Sequence, residues 1–190
     1  MEFMDRYKTL FSRIESLLSV KARVTVAIDG GAAAGKTTLA ALLAERYGGE
    51  IVHMDDFFLR PEQRTPERFA QAGGNFDRER FQEEVVPFMG KREPFSYRIF
   101  DCSQMRLFGA VTVPDCRLVI VEGSYSHHPA FAEAFDLRVF LRVDEEERKQ
   151  RIIKRNGDKS RMFFDRWIPL ENRYFEAFAI EKKADIVICG

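Results

Sequence analysis

The sequence has little cysteine and no excess of charge. Cys102, Cys116 and Cys189 are its three cysteines among 190 residues, an odd number with no CxxC spacing. That argues against a disulfide scaffold and favours a reducing compartment. Thirty Lys and Arg balance thirty Asp and Glu. Generic binders of nucleic acid or anionic membranes carry a basic excess, so neither partner is expected. No apolar run approaches the roughly 18 residues of a membrane span. Glu2, Asp5, Arg6 and Lys8 near the start fit neither a secretory signal nor an acid-poor transit peptide. A cytoplasmic location is the resulting expectation. No repeat, low-complexity tract or linker divides the chain, so 1–190 reads as one domain.

What is present is alternation. Residues 3–18 place Phe3, Met4, Tyr7, Leu10, Phe11, Ile14, Leu17 and Leu18 on one helical face, which predicts an amphipathic helix packed on the domain. A β-rich run at 24–28 follows, then a Gly/Ala loop, then a helix over 36–47 ended by Gly48 and Gly49. Strands are expected at 50–54, 97–102, 107–113, 117–121, 137–143 and 185–189. Helices are expected at 77–86 and at 144–155, the latter with Asp144 as N-cap. Residues 61–74 read as irregular with one helical turn after Pro66, and 160–183 as helical in parts, interrupted near Pro169. The apolar runs at 117–121 and 137–143 are continuous, as buried parallel strands require. The expected fold is α/β, a three-layer α/β/α domain with a five-stranded, mostly parallel sheet. An N-terminal helix in 1–20, a β-hairpin insertion at 94–114 and a basic lid at about 148–165 are added to that frame.

The loop carries the most specific signal. Gly30, Gly31, Ala32, Ala33, Ala34, Gly35, Lys36 and Thr37 fit G-x-x-x-x-G-K-[ST] at every fixed position, between a strand and a helix. Small residues let backbone N–H groups wrap phosphate oxygens. The helix that follows aims its unpaired N–H groups at the same anion. Lys36 is expected to reach the β- and γ-phosphates of ATP, and the Thr37 hydroxyl to ligate Mg²⁺, with Thr38 completing the nucleotide site. Glu122 ends a buried strand at the sheet edge where α/β proteins bind ligands. It is a candidate to hold Mg²⁺ through water or to polarise a water. Asp55 and Asp56 reach the same edge after the second strand. Asp55 is the candidate base for an acceptor hydroxyl, with Mg²⁺ coordination through water as a second role. Asp56 suits a cap on the next turn.

The GTPase motif N-K-x-D is missing, no LSGGQ-like transporter signature occurs, and the chain is short for a motor or ring ATPase. A small kinase remains. GGAAAGKTT at 30–38, MDDFF at 54–58 and NFDRERF at 75–81 resemble the uridine kinase and phosphoribulokinase-like branch of P-loop kinases. Residues 121–123 and the Arg-rich stretch after 147 add weaker support, and the likeness spans roughly 22–188. It implies phosphoryl transfer from ATP to a hydroxyl of a small molecule, a nucleoside first among them. It also implies Asp55 as base, Asp77 on sugar hydroxyls, Phe76 on the acceptor wall and Tyr97, after Pro94, against the nucleobase. Phe58, which ends the D-x-F-[YF] element, counts with these substrate residues. Asp77 equally suits the N-cap of the helix at 77–86.

The sequence also departs from that family. Asp56 stands where uridine kinases usually carry a small residue, Phe58 replaces their usual Tyr, and no His-x-Arg follows Tyr97. A non-nucleoside acceptor such as pantothenate, a sugar phosphate or a vitamin therefore stays open. So does a nucleotide-gated binding or regulatory protein, and so does a homo-oligomer.

Residues 148–161 hold seven cations, opposed only by Asp158. Arginine binds phosphate bidentately and keeps its charge. Arg151 and Arg155, four apart on one helical face, are the candidates for stabilising transition-state charge. The phenylalanines clustered between 57 and 108 read as core packing. His127 and His128 lack partners for a metal site, and Trp167 is expected to pack at the junction of lid and helix.

Overall fold

The computed structural model describes residues 5–190. Phe3 and Met4, assigned above to the first helix, lie outside that range. Helix α1 (Lys8–Val20) buries Leu10, Phe11 and Ile14 and leads into β1 (Val24–Gly30), every residue of which is buried. Helix α2 (Lys36–Tyr47) starts directly from the loop, with Gly35 as N-cap at φ 96°, a left-handed value that suits glycine. Strand β2 (Glu50–His53) passes into a 3-10 turn, Met54–Phe57, and the short helices α3 (Pro66–Ala70) and α4 (Arg78–Glu84) follow. Strands β3 (Phe95–Asp101) and β4 (Arg106–Val113) pair antiparallel, apart from the main sheet, as the hairpin at 94–114 requires. The chain then returns through β5 (Leu118–Glu122), β6 (Leu137–Arg142) and α5 (Glu145–Asn156), whose N-cap Asp144 accepts from the Glu146 and Glu147 amides. It ends with α6 (Ile168–Phe178), α7 (Ile180–Lys183) and β7 (Ile186–Cys189).

The main sheet has the order β2-β5-β1-β6-β7, and every neighbouring pair is parallel. Alternation along the strands divides the core. Val24, Val26, Ile28, Leu118, Ile120 and Val139 pack with Leu10 and Ile14 of α1 and Leu39 and Leu43 of α2. Ala27, Val119, Val121 and Phe140 point the other way, into an aromatic cluster containing Phe57, Phe76, Phe81 and Tyr174. Much of the phenylalanine is spent there. Phe81 meets Phe57 edge-on at 5.1 Å and Phe131 at 4.6 Å, contacts that fill a core and leave no cleft between them.

The helical run over 160–178 departs from regular α geometry near Pro169, as the sequence led one to expect. The irregularities flank Pro169. Phe163–Trp167 is a π-helical turn, and Ala179, at φ 51°, separates α6 from α7. No helix among the described residues is long and apolar enough to cross a membrane.

Candidate active site

Strands β2, β5 and β1 are neighbours, so their carboxyl ends deliver three things to one place. β1 gives the loop at 30–38, β5 gives Glu122, and β2 gives the turn with Asp55. All three border an open cavity of about 460 Å³. Its far wall comes from α5 and the π turn, with Arg151, Arg155, Phe163 and Trp167.

The loop is fixed by backbone sterics. Gly30 has φ 146°, and a Cβ there would lie 2.5 Å from the Leu141 carbonyl oxygen of β6. Lys36 folds back across the loop, donating to the Gly30 and Gly31 carbonyls at 2.8 and 2.9 Å. The Thr37 hydroxyl lies 3.3 Å from both oxygens of Glu122. His53 Nδ1 sits 2.6 Å from the same carboxylate, whose hydrogen bond raises the imidazole pKa. No group of three or more His, Cys, Asp or Glu side chains arranged to hold a metal occurs among the described residues. Magnesium favours one or two protein oxygens together with phosphates and water. The Thr37 hydroxyl beside the Glu122 carboxylate supplies oxygens of that kind, and Asp55 borders the same cavity.

The two adjacent acids divide. Asp55 faces the cavity and makes no side-chain hydrogen bond among the described residues. Partial removal from water and the charge of Glu122 raise its pKa, against the pull of Lys36 and His53. Asp56 instead accepts from the Tyr97 hydroxyl at 3.0 Å, and neither acid caps the turn with its side chain.

Three of the expected acceptor residues lie off the cavity wall. Asp77 is fully buried. It caps α4 through the Arg80 amide, accepts from Arg60 Nε at 3.0 Å and from Gln63 Nε2 at 2.8 Å, and pairs with Arg80. Its oxygens are occupied by protein groups rather than turned to the cavity. Phe76 stacks on Tyr125 at 5.3 Å inside the aromatic core. Tyr97 is buried against Phe57, its hydroxyl committed to Asp56. Phe58 does reach the wall, 6.2 Å from Trp167.

The arginines of α5 stand near the loop. Arg151 Nη1 donates to the Ala33 carbonyl at 3.3 Å, and Arg155 lies 5.5 Å over the Phe163 ring. His127 and His128 stay off the wall. His127 contacts the Ala27 carbonyl, and His128 is enclosed by Phe76, Tyr174 and Phe178, where burial lowers its pKa to about 4.

Sequence reasoning missed Asn75, Ser124 and Glu171, all on the wall, and gave Trp167 a packing role only. Asn75 had a signal, since it begins the NFD motif. Ser124 and Glu171 had none, because only the folded topology brings them to the loop.

A glycine-rich G-x-x-x-x-G-K-T loop at the edge of an all-parallel sheet, sharing a cavity with an acid and with Arg151 and Arg155 of α5, defines a P-loop protein of the kinase type. No family model matches the chain. A Schizosaccharomyces pombe protein described as a "putative uridine kinase" is 30% identical over 176 residues, spanning 80% of this chain and 74% of that protein. The chain belongs to the uridine kinase-like branch of the P-loop kinases. Its fold matches that of a "possible uridine kinase" from Bacillus stearothermophilus, with a TM-score of 0.73 at 23% identity, covering 99% of this chain and 100% of the other. A "putative fructose transport system kinase" from Silicibacter sp. TM1040 matches with a TM-score of 0.63 at 25% identity, over 94% and 97% of the two chains.

Proposed function

We propose that this protein moves the terminal phosphoryl group of ATP to a hydroxyl of a small molecule. One observation carries the reading: Asp55, whose carboxylate is left free of side-chain hydrogen bonds among the described residues, shares a cavity with the phosphate loop and with Arg151 and Arg155. Loop amides and Lys36 would bind the phosphates, Lys36 exchanging two carbonyl bonds for charge-assisted ones. Thr37 would hold magnesium with Glu122 and Asp55 behind water, and the ion supplies neutralisation of phosphate charge. Asp55 would take the proton from the acceptor hydroxyl as its oxygen attacks phosphorus. Its raised pKa suits a base that must accept a proton and release it again. Arg151 and Arg155 would stabilise the charge that spreads over the transferred group. Closure of the lid would keep water from the phosphate.

The resemblance favours a nucleoside acceptor. A second reading, a non-nucleoside alcohol, is favoured by Asp77 and Tyr97, whose polar atoms are bonded within the protein. A screen of ADP release across nucleosides, sugars and vitamins, with mass detection of the product, decides. Stimulation by one compound class with a matching phosphorylated product supports transfer. ADP release that no acceptor raises above the ATP-only rate counts against it and favours a nucleotide-gated regulator.

A further inference from the structure

Three carboxylates border the cavity, and the chemistry above uses Asp55 and Glu122. The third, Glu171, is buried on α6 with 6% of its surface exposed. Its Oε2 accepts from the Ala32 amide at 3.0 Å, and its Oε1 accepts from the Ser124 hydroxyl at 2.6 Å. The Arg148 guanidinium of α5 pairs with the same Oε2. Arg148 Nε also donates to the Ala32 carbonyl at 3.3 Å. Both polar groups of one loop residue are thus gripped by an oppositely charged pair. Arg148 packs so closely over the loop that a Cβ on Gly31 would lie 2.8 Å from its Cζ.

The pair comes from the two helices that flank residues 157–167. One of them, α5, also carries Arg151 and Arg155. Arg151 has only a long bond of its own to the loop and is part-exposed. Water could satisfy the Ala32 amide equally well. An ion pair reaching three elements does something water cannot: it fixes where α5 stands relative to the loop. A bare carboxylate beside bound phosphates would repel them, and Arg148 cancels that charge.

We propose that Glu171 is a positioning residue for phosphoryl transfer. Through Arg148 and Ala32 it docks α5 on the phosphate loop and thereby sets Arg151 and Arg155 over the phosphates. The proposal rests on the kinase reading above and adds a residue to it.

Trp167 is the only tryptophan of the chain and stands in the lid segment, so its fluorescence reports lid position without turnover. Mg·ATP affinity is measured by calorimetry, and the Trp167 signal recorded, for wild type, R151A, E171Q and E171Q/R151A. Glutamine keeps the size and an acceptor oxygen but cannot form the ion pair. In the wild-type background R151A should weaken Mg·ATP about 30-fold, the loss of one charge-assisted bond. Beside E171Q the same change should cost no more than about threefold, because Arg151 is no longer held in place. E171Q should also shrink the Trp167 response to Mg·ATP. R148A opens the clasp from the other side and should reproduce the lost coupling, which keeps the test available if E171Q does not fold. An Arg151 effect that is equal in both backgrounds, zero included, overturns the clasp and leaves the phosphate-loop reading standing. Wild-type protein that binds no Mg·ATP overturns that reading, and the clasp with it.

Discussion

The Tyr97 hydroxyl donates to Asp56 at 3.0 Å, and its neighbour Asp55 is left facing the cavity with no such partner among the described residues. Two acids adjacent in sequence therefore have different surroundings. Asp55→Asn should lower kcat by about 10²- to 10⁴-fold, the usual share of a general base, with Mg·ATP affinity largely kept. Tyr97→Phe should cost about 1 kcal/mol of stability and less than tenfold in kcat. Steady-state kinetics and thermal melts on both variants check this. Unchanged transfer by Asp55→Asn would remove Asp55 as base.

Glu122 lies between Thr37 and His53. Glu122→Gln keeps both contacts within reach but removes the charge. The Mg²⁺ concentration for half-maximal activity should rise about 10-fold, typical for loss of an outer-shell ligand. A magnesium titration at saturating ATP measures it, and an unshifted midpoint would take Glu122 out of the ion's surroundings.

Asp77 and Asn75 should separate stability from acceptor binding. Asp77→Ala leaves Arg60 and Arg80 facing a lost partner and uncaps α4. A loss of about 3 kcal/mol is expected. Asn75 borders the cavity, and its buried Oδ1 has no hydrogen-bond partner among the described residues. Asn75→Ala should raise the acceptor KM about 10-fold and leave the ATP KM unchanged. Denaturant titration and two-substrate kinetics test the pair. The reverse pattern would return the acceptor role to Asp77.

His128 should make the fold sensitive to mild acid. Its folded pKa of about 4 lies below the ordinary histidine value of about 6.5. The unfolded chain therefore binds the extra proton first as pH falls. The His128 contribution to stability is complete above pH ~6.5 and is lost as pH falls toward ~4, by up to about 3 kcal/mol. His128→Asn keeps an acceptor for the Ala130 amide, which Nδ1 now serves at 3.2 Å, without a titrating ring. Denaturant midpoints between pH 7 and pH 4 should fall less steeply for this variant. Some slope should remain, because His127 is buried with a lowered pKa as well. An equal slope in variant and wild type would place the acid sensitivity elsewhere.

What was legible in the sequence was local. The loop at 30–38 announces itself because its chemistry needs small residues, a lysine and a threonine at fixed spacing. The place of Glu122 and Asp55 on the cavity wall was legible because strand ends in a parallel sheet share one edge. Asp77 misled because a motif gives a residue's position and not the direction of its side chain: two residues earlier, Asn75 borders the cavity. Tyr97 misled for the same reason, its hydroxyl turning inward to Asp56. Glu171 could not be read at all. It lies 139 positions from Ala32, and only the return of α6 across the sheet brings them together. The π turn at Phe163–Trp167 was equally hidden, since one extra residue in a helical turn leaves no periodic mark.

Gly30 brings a last consequence. Its obstacle to any side chain is the backbone carbonyl of Leu141 in a neighbouring strand. Selection on this position therefore acts on the folding of the sheet before it acts on catalysis. A descendant that had given up phosphoryl transfer would still have to keep this glycine, so its presence alone testifies to the scaffold. Lys36 is the better witness to the chemistry, because β6 makes no such demand on it.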